Sequence, residues 1–169
     1  MMAALLQSLL CDRLGPDAVE IRSSGFGPAG MPPIGDAVEA MRRRGLDISE
    51  HRSASTTAAL VDAADLILTA ERAHVVKVAA LSPAAFARTM TLPEFLAATA
   101  ASPVDTSLDL RAAVVALTRQ RTASGYLREP VAEIADPTGS PPRAFEAAVV
   151  VIEQQCRDAA TWLAARSRR

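Results

Sequence analysis

The stretch DLILTA, residues 65–70, decides the fold. It is a continuous apolar run bounded by Asp65 and Glu71, the pattern of a strand buried on both faces, as in a parallel sheet covered by helices. On its N-terminal side a small helix is predicted over residues 58–64. On its C-terminal side a helix is predicted over 72–80, followed by the short strand-like RTMTL at 88–92. Strands that alternate with helices imply an α/β domain with right-handed crossovers.

Further out the same alternation holds. AVEIRSSG, residues 18–25, is a β-type run that ends in Ser and Gly, the form of a strand entering a turning or functional loop. Before it, Met2, Leu5, Leu6, Leu9 and Leu10 recur at helical spacing until Gly15 and Pro16 stop the segment. After it, Ile34, Ala37, Val38 and Met41 mark a second helix, with Arg42, Arg43 and Arg44 in its last turn and Gly45 where a left-handed cap is favoured. The middle, EFLAATAASPVDTS (94–107) and LDLRAAVVALTRQRTASG (108–125), has helical composition but few evident caps. It reads as an elaborated connection within a single domain spanning residues 1–169. Phe145, Ala148, Val149, Ile152, Cys156, Ala159 and Leu163 then form the stripe of one long helix, with Trp162 beside it.

Composition limits the function. With 169 residues, half of them apolar, and a formal net charge of -1, the chain is long enough for a substantial core and has no basic excess for a nucleic-acid backbone. The clusters MRRRG and RSRR read as solvated helix ends whose positive charge suits the C-terminal dipole. Cys11 and Cys156 lie on apolar helix faces, away from any metal-ligand spacing, and fit a reducing, cytoplasmic setting. The opening MMAALLQSLLCDRLG lacks the basic n-region and the small residue of a cleaved signal, and no segment approaches the ~18 apolar residues of a membrane span.

One late stretch carries a choice of readings. In IADPTG, residues 134–139, Asp136 and Pro137 stand directly before the long final helix, either as turn punctuation or as an acid on a loop.

Taken in order, EIRSSGFGP, PPIGDAVEAMRRRGLDISEHRS, DLILTAERAHV, RTMTLPEFL and IADPTGSPPRAFEAAVVVIEQQC resemble the low-molecular-weight protein tyrosine phosphatases over nearly the whole chain. The resemblance implies a three-layer α/β sandwich, a four-stranded parallel sheet with helices on both faces. It also implies phosphate-ester hydrolysis through a cysteinyl-phosphate, with no cofactor and no metal. A thiolate attacks phosphorus, its pKa lowered by backbone amides and a helix N-terminus. A guanidinium grips the phosphoryl oxygens bidentately, and an acid protonates the departing oxygen.

In the family a C-x-x-x-x-x-R-S loop between the first strand and the first helix supplies nucleophile, cradle and Arg. These residues contain no such loop: MMAALLQSLL matches the helix that follows it, so the first strand and the loop are expected to be missing. Asp136 matches the general acid, with Pro137 shaping its loop, and Ser23 and Ser24 either match the strand exit whose hydroxyl supports the phosphate loop or serve a simple turn. Thr138 and Gly139 replace the aromatics that commonly follow Asp-Pro, which puts ring stacking on phosphotyrosine in question. His51 and His74 read as surface or loop residues.

Two functions follow. The chain is a truncated or mis-started form of an active phosphatase, inactive as it stands, whose substrate is a phosphorylated protein or a small phosphate ester. Alternatively it is a non-catalytic pseudo-phosphatase, a binding or regulatory module whose sheet is completed by a partner or a second copy. A third reading, an arsenate reductase of the same fold, lacks the extra cysteines that chemistry uses.

Overall fold

The computed structural model describes residues 1–102 and 107–166. In chain order the elements begin with helices α1 (Met2–Leu14), α2 (Gly35–Arg42) and α3 (Ala58–Ala63), then strand β1 (Ile67–Thr69) and helix α4 (Arg72–Leu81). A 3-10 turn (Pro83–Arg88) leads into strand β2 (Thr89–Thr91) and helices α5 (Leu92–Ala101), α6 (Leu110–Leu117), α7 (Ala123–Arg128) and α8 (Pro142–Ala164). They fall into two compact units, Met1–Thr56 with Asp136–Arg169, and Thr57–Ala135.

The second unit holds the sheet. β1 and β2 run parallel, with Ile67 opposite Thr89 and Thr69 opposite Thr91, so the α/β class read from DLILTA and RTMTL is the observed one. β2 is buried at all three positions, as a strand covered on both faces requires, whereas Ile67 and Leu68 of β1 are only half-buried. Val75 and Val78 of α4, Leu92 and Phe95 of α5 and Val114 of α6 build the core around them.

The connection between β2 and residue 135 differs from expectation. α6 and α7 are separate helices, parted by a turn in which the Arg121 N–H donates to the Thr118 carbonyl at 2.8 Å. Each helix has a side-chain cap: Thr91 with Glu94 forms a capping box on α5, Asp109 caps α6 and Thr122 caps α7. Residues 103–106, within the predicted helical stretch, lie outside the described residues.

The six-residue α3 is held at its C-terminal end by two arginines. The buried Arg88 donates to the carbonyls of Val61 and Ala64, and Arg111 donates to those of Asp62, Ala63 and Ala64 while pairing with Asp65 at 2.8 Å. These guanidinium groups satisfy carbonyls that a helix end leaves without partners.

In the first unit α1 packs along α8. Leu5, Leu6 and Leu10 face Val149, Ile152, Cys156, Ala159 and Leu163 in one apolar layer, to which α2 adds Ala37, Ala40 and Met41. Burying each such Leu or Ile contributes about 1.5–3 kcal/mol. α1 ends at Gly15, with φ 95°.

α2 ends as its Gly45 foretold. Gly45 has φ 74°, its N–H donates to the Arg42 carbonyl at 3.0 Å, and the Leu46 N–H reaches back to Met41 at 3.0 Å, the paired bonds of a Schellman cap. The arginines before it are not all solvated, which corrects the reading of MRRRG. Arg44 Nε donates to Glu153 at 2.6 Å, Nη2 to Glu146 at 2.8 Å and Nη1 to the Ala40 carbonyl at 3.0 Å. Arg43 Nη2 takes the other Glu146 oxygen at 2.7 Å, leaving Arg42 with Glu39 on the surface. Of RSRR only Arg166 is described; the last three residues lie outside the described residues.

AVEIRSSG is not a regular strand. Among the described residues its only pairing is an isolated parallel bridge from Gly25 to Ser55, and residues 18–24 make no backbone–backbone hydrogen bond. β-type composition becomes a ladder only where a neighbouring backbone meets its N–H and C=O groups. The described sheet therefore has two strands rather than the family's four.

Candidate functional site

Asp136 stands in a tight turn six residues before α8. Its Oδ1 accepts a hydrogen bond from the Thr138 N–H at 3.0 Å, and the Ser140 N–H donates to the Pro137 carbonyl at 3.0 Å. An aspartate that holds the amide two residues on makes an Asx turn. Gly139, with φ 78°, completes the reversal in a conformation that favours glycine. Pro137 is buried while Asp136, Thr138 and Gly139 are exposed, so the ring of Pro137 anchors the turn and the carboxylate faces solvent. Asp136 Oδ2 has no hydrogen-bond partner among the described residues.

Asp136 is not the N-cap of α8. That place is taken by Pro141, with no side-chain hydrogen bond, and the Phe145 N–H donates to its carbonyl at 3.0 Å. The Thr138 and Ser140 amides are satisfied within the turn, and the outer carboxylate oxygen is not used by it.

Ser23 and Ser24 are exposed. Ser24 Oγ lies 2.9 Å from Thr56 Oγ1, beside the Gly25–Ser55 bridge, where the Gly25 N–H donates to the Ala54 carbonyl at 2.9 Å. This pairing staples the 23–25 loop to the 54–56 segment. Among the described residues no hydrogen bond joins Ser23 or Ser24 to Asp136, so the structure puts the four sequence-predicted residues in one unit but in two separate hydrogen-bonded groups.

Neither cysteine is placed as a nucleophile. Cys156 is fully buried in α8, its Sγ 4.0 Å from the Met2 carbonyl, and burial pushes its thiol up to about 12. Cys11 sits within α1, where backbone amides are spent on the helix ladder and none is left to cradle a phosphate. Six residues beyond each, where a phosphate-gripping Arg belongs, stand Asp17 and Trp162.

A second cluster, in the other unit, was not foreseen. Arg121 lies over the rings of both Phe86 and Tyr126, 4.1 and 4.8 Å from their centroids, while the two rings meet edge to face at 5.4 Å. Its Nη1 donates to Glu94 at 2.7 Å and its Nη2 to the carbonyls of Phe86 and Thr89. Burial, with the Glu94 carboxylate beside it, pushes the Tyr126 hydroxyl up to about 12. Glu94, Arg121 and Tyr126 line an open cleft of about 330 Å³ that also takes in Gln120, Thr122 and Glu129. The one local signal was TLPE at 91–94, a capping-box sequence that places Glu94; the rest is assembled from distant segments.

Among the described residues no helix is long and apolar enough to cross a membrane, and no group of three or more His, Cys, Asp or Glu is placed to hold a metal ion.

Comparison with known proteins identifies the fold and its relatives. The family model for low molecular weight phosphotyrosine protein phosphatase matches residues 1–122. The probable low molecular weight protein-tyrosine-phosphatase EpsP of Ralstonia nicotianae is 40% identical over 81 residues, 47% of this chain and 54% of that protein. The chain spans about half the length of the curated relatives it matches. Among solved structures, the YwlE arginine phosphatase from Geobacillus stearothermophilus aligns with a TM-score of 0.67 at 22% identity, covering 96% of this chain and 84% of that one. The tyrosine phosphatase Wzb from Escherichia coli K30, in complex with sulphate, aligns with a TM-score of 0.63 at 22% identity, covering 95% and 89%. At such identities the two structures speak for the fold alone.

Proposed function

The chain belongs to the low molecular weight phosphotyrosine protein phosphatase family, and from that premise we propose that Asp136 is the proton donor of a phosphate-monoester hydrolase. The observation that carries the reading is the Asx turn: it fixes one carboxylate oxygen on the Thr138 amide and leaves the other, on an exposed turn, without a protein partner among the described residues. In the reaction a cysteine thiolate forms a bond to phosphorus as the ester P–O bond breaks, and the departing oxygen takes its proton from Asp136. The resulting carboxylate then accepts a proton from the water that attacks phosphorus as the P–S bond breaks. Ser24, paired with Thr56, steadies the loop edge on which the phosphate site is built. Substrates in this reading are phosphorylated proteins, phosphotyrosine included, or small phosphate esters.

Neither the nucleophile nor the phosphate-gripping arginine is among these 169 residues, so the chain by itself is expected to hydrolyse no phosphate ester. Incubation of the purified chain with a chromogenic aryl phosphate tests this. Turnover that disappears in Cys11→Ser would overturn both the inactivity and the reading of Cys11 as a helix residue.

A second reading, a binding module without chemistry, is favoured by one observation. Residues 19–24 carry no regular structure, make no backbone–backbone hydrogen bond among the described residues, and flank a groove of about 290 Å³ lined by Gln7, Val19 and Ile21. Such an edge accepts a further strand, from a partner or a second copy. An arsenate-reducing role is disfavoured by the buried, high-pKa thiol of Cys156.

A further inference from the structure

We propose that Arg44 is a positioning residue: it fixes the register of α8 against α2 and thereby sets where the Asp136 carboxylate stands. The proposal rests on the reading of Asp136 as proton donor for its catalytic meaning, though not for its geometry.

Glu146 and Glu153 are seven residues apart, two turns on one face of α8 and about 10 Å along its axis. A single guanidinium reaches both, through Nη2 and Nε, while its Nη1 is tied to the Ala40 carbonyl of its own helix. The fork is therefore engaged at three points, one on the backbone of α2 and two on α8. Arg43 occupies the second oxygen of Glu146, so that carboxylate is held from both sides. The Arg44 side chain is only 12% exposed, which limits screening of these bonds.

Arg44, with Arg43 beside it, gives α8 charge-assisted, directional contacts with the end of α2. The buried stripe of Val, Ile and Ala on α8 packs through non-directional contacts, and the helix N-terminus has no side-chain cap. A slip of one residue would move the helix by about 1.5 Å and break both carboxylate contacts at once. The Asp136 turn is joined to the first residue of the helix by only the five residues 137–141, with the Ser140 N–H on the Pro137 carbonyl closing the turn, so a slip of the helix pulls on the carboxylate through that short stretch. A displacement of about 1 Å at a reacting group can cost on the order of 100-fold in rate.

The test reads the turn directly, in the 169-residue chain, and needs no turnover. Arg44→Lys keeps the charge but replaces the planar fork by a point donor that engages one carboxylate at a time. Amide exchange measured by NMR at Thr138 and Ser140 is expected to quicken by about tenfold or more, while Val149 and Ile152 in the helix centre stay within about twofold of the parent chain. Unchanged exchange at Thr138 and Ser140 in a folded Arg44→Lys chain overturns the proposal. So does an equal acceleration at all four amides, which reports lost stability alone. Should Arg44→Lys not fold, Glu153→Gln, which removes one of the two holds, is read by the same criteria. A failure of Asp136 as proton donor appears separately, in the kinetics of Asp136→Asn.

Discussion

Arg44 Nε and Glu153 Oε2 are 2.6 Å apart, between side chains only 12% and 21% exposed, and they join the end of α2 to the middle of α8. Few charged pairs in the molecule are as well shielded. Arg157 and Arg44, through their hydrogen bonds, hold the Glu153 carboxyl below the ordinary Glu range.

A depressed acid gives stability that is present above its unfolded-state pKa and is lost as pH falls through the folded value. Glu146, held down by Arg44 and then Arg43, adds to the same window, discounted for its greater exposure. Glu153→Gln is therefore expected to lower stability by about 1 kcal/mol at pH 7. The deficit should shrink as the pH is brought below the usual glutamate range. Urea midpoints of the two proteins at pH 7 and near pH 3 check this; a deficit that is constant with pH refutes the ionic origin.

Gly125 lies inside α7, where alanine ordinarily gains about 1 kcal/mol. Here a Cβ would come 2.9 Å from Thr122 Oγ1, the atom that caps the helix by accepting the Gly125 N–H. Gly125→Ala is expected to displace the cap and leave thermal stability unchanged or lower. In a Thr122→Ala background the same change is expected to stabilise, and a double-mutant cycle of melting temperatures reveals the reversal of sign.

Tyr126 is the only tyrosine, so its titration can be followed by ultraviolet absorbance without interference. Its folded pKa is raised from 10.0 to about 12, chiefly by burial and then by Glu94. The absorbance of the folded chain should stay flat through pH 10. With the folded value above the unfolded one, the stability this group contributes is full below pH 10.0 and is lost as pH rises toward about 12. Ionisation near pH 10 in a protein still folded by circular dichroism would place the hydroxyl in water.

Asp136→Asn keeps an oxygen able to accept the Thr138 N–H, so the turn survives and melting should change by less than about 1 kcal/mol. Asp136→Ala loses that acceptor and should cost more. In a form that also carries the cysteine and arginine loop, Asp136→Asn is expected to slow ester cleavage by about 100-fold. An unchanged rate removes the residue from the mechanism.

What the sequence made legible was local. DLILTA and RTMTL announced the paired strands because an apolar run between charged residues has few other homes, and Gly45 announced a left-handed cap because its backbone needs no partner to adopt one. AVEIRSSG misled because a strand is made by its neighbour as much as by its own residues. Asp109 and Thr122 escaped notice as caps because each is ordinary until the helix after it is placed, whereas Thr91 carried a local signal in TLPE. Arg44 meets Glu146 and Glu153 across about 100 residues of chain, and Arg121 meets Phe86 and Glu94 across some 30. No window of sequence holds both members of such pairs. Asp136 was legible as a turn residue, and the turn is what the structure shows; its part as an acid is the proposal made above.

The two arginines on the end of α3 have a bearing on how the chain folds. A helix of six residues is too short to persist alone, because nucleation costs more than its few bonds return. Its last carbonyls wait for Arg88 and Arg111, between 24 and 49 residues further along. Early in the sequence of the second unit, α3 is thereby made one of the last pieces to order. On a ribosome it would emerge well before the groups that hold it, and it would consolidate only once residue 111 had followed.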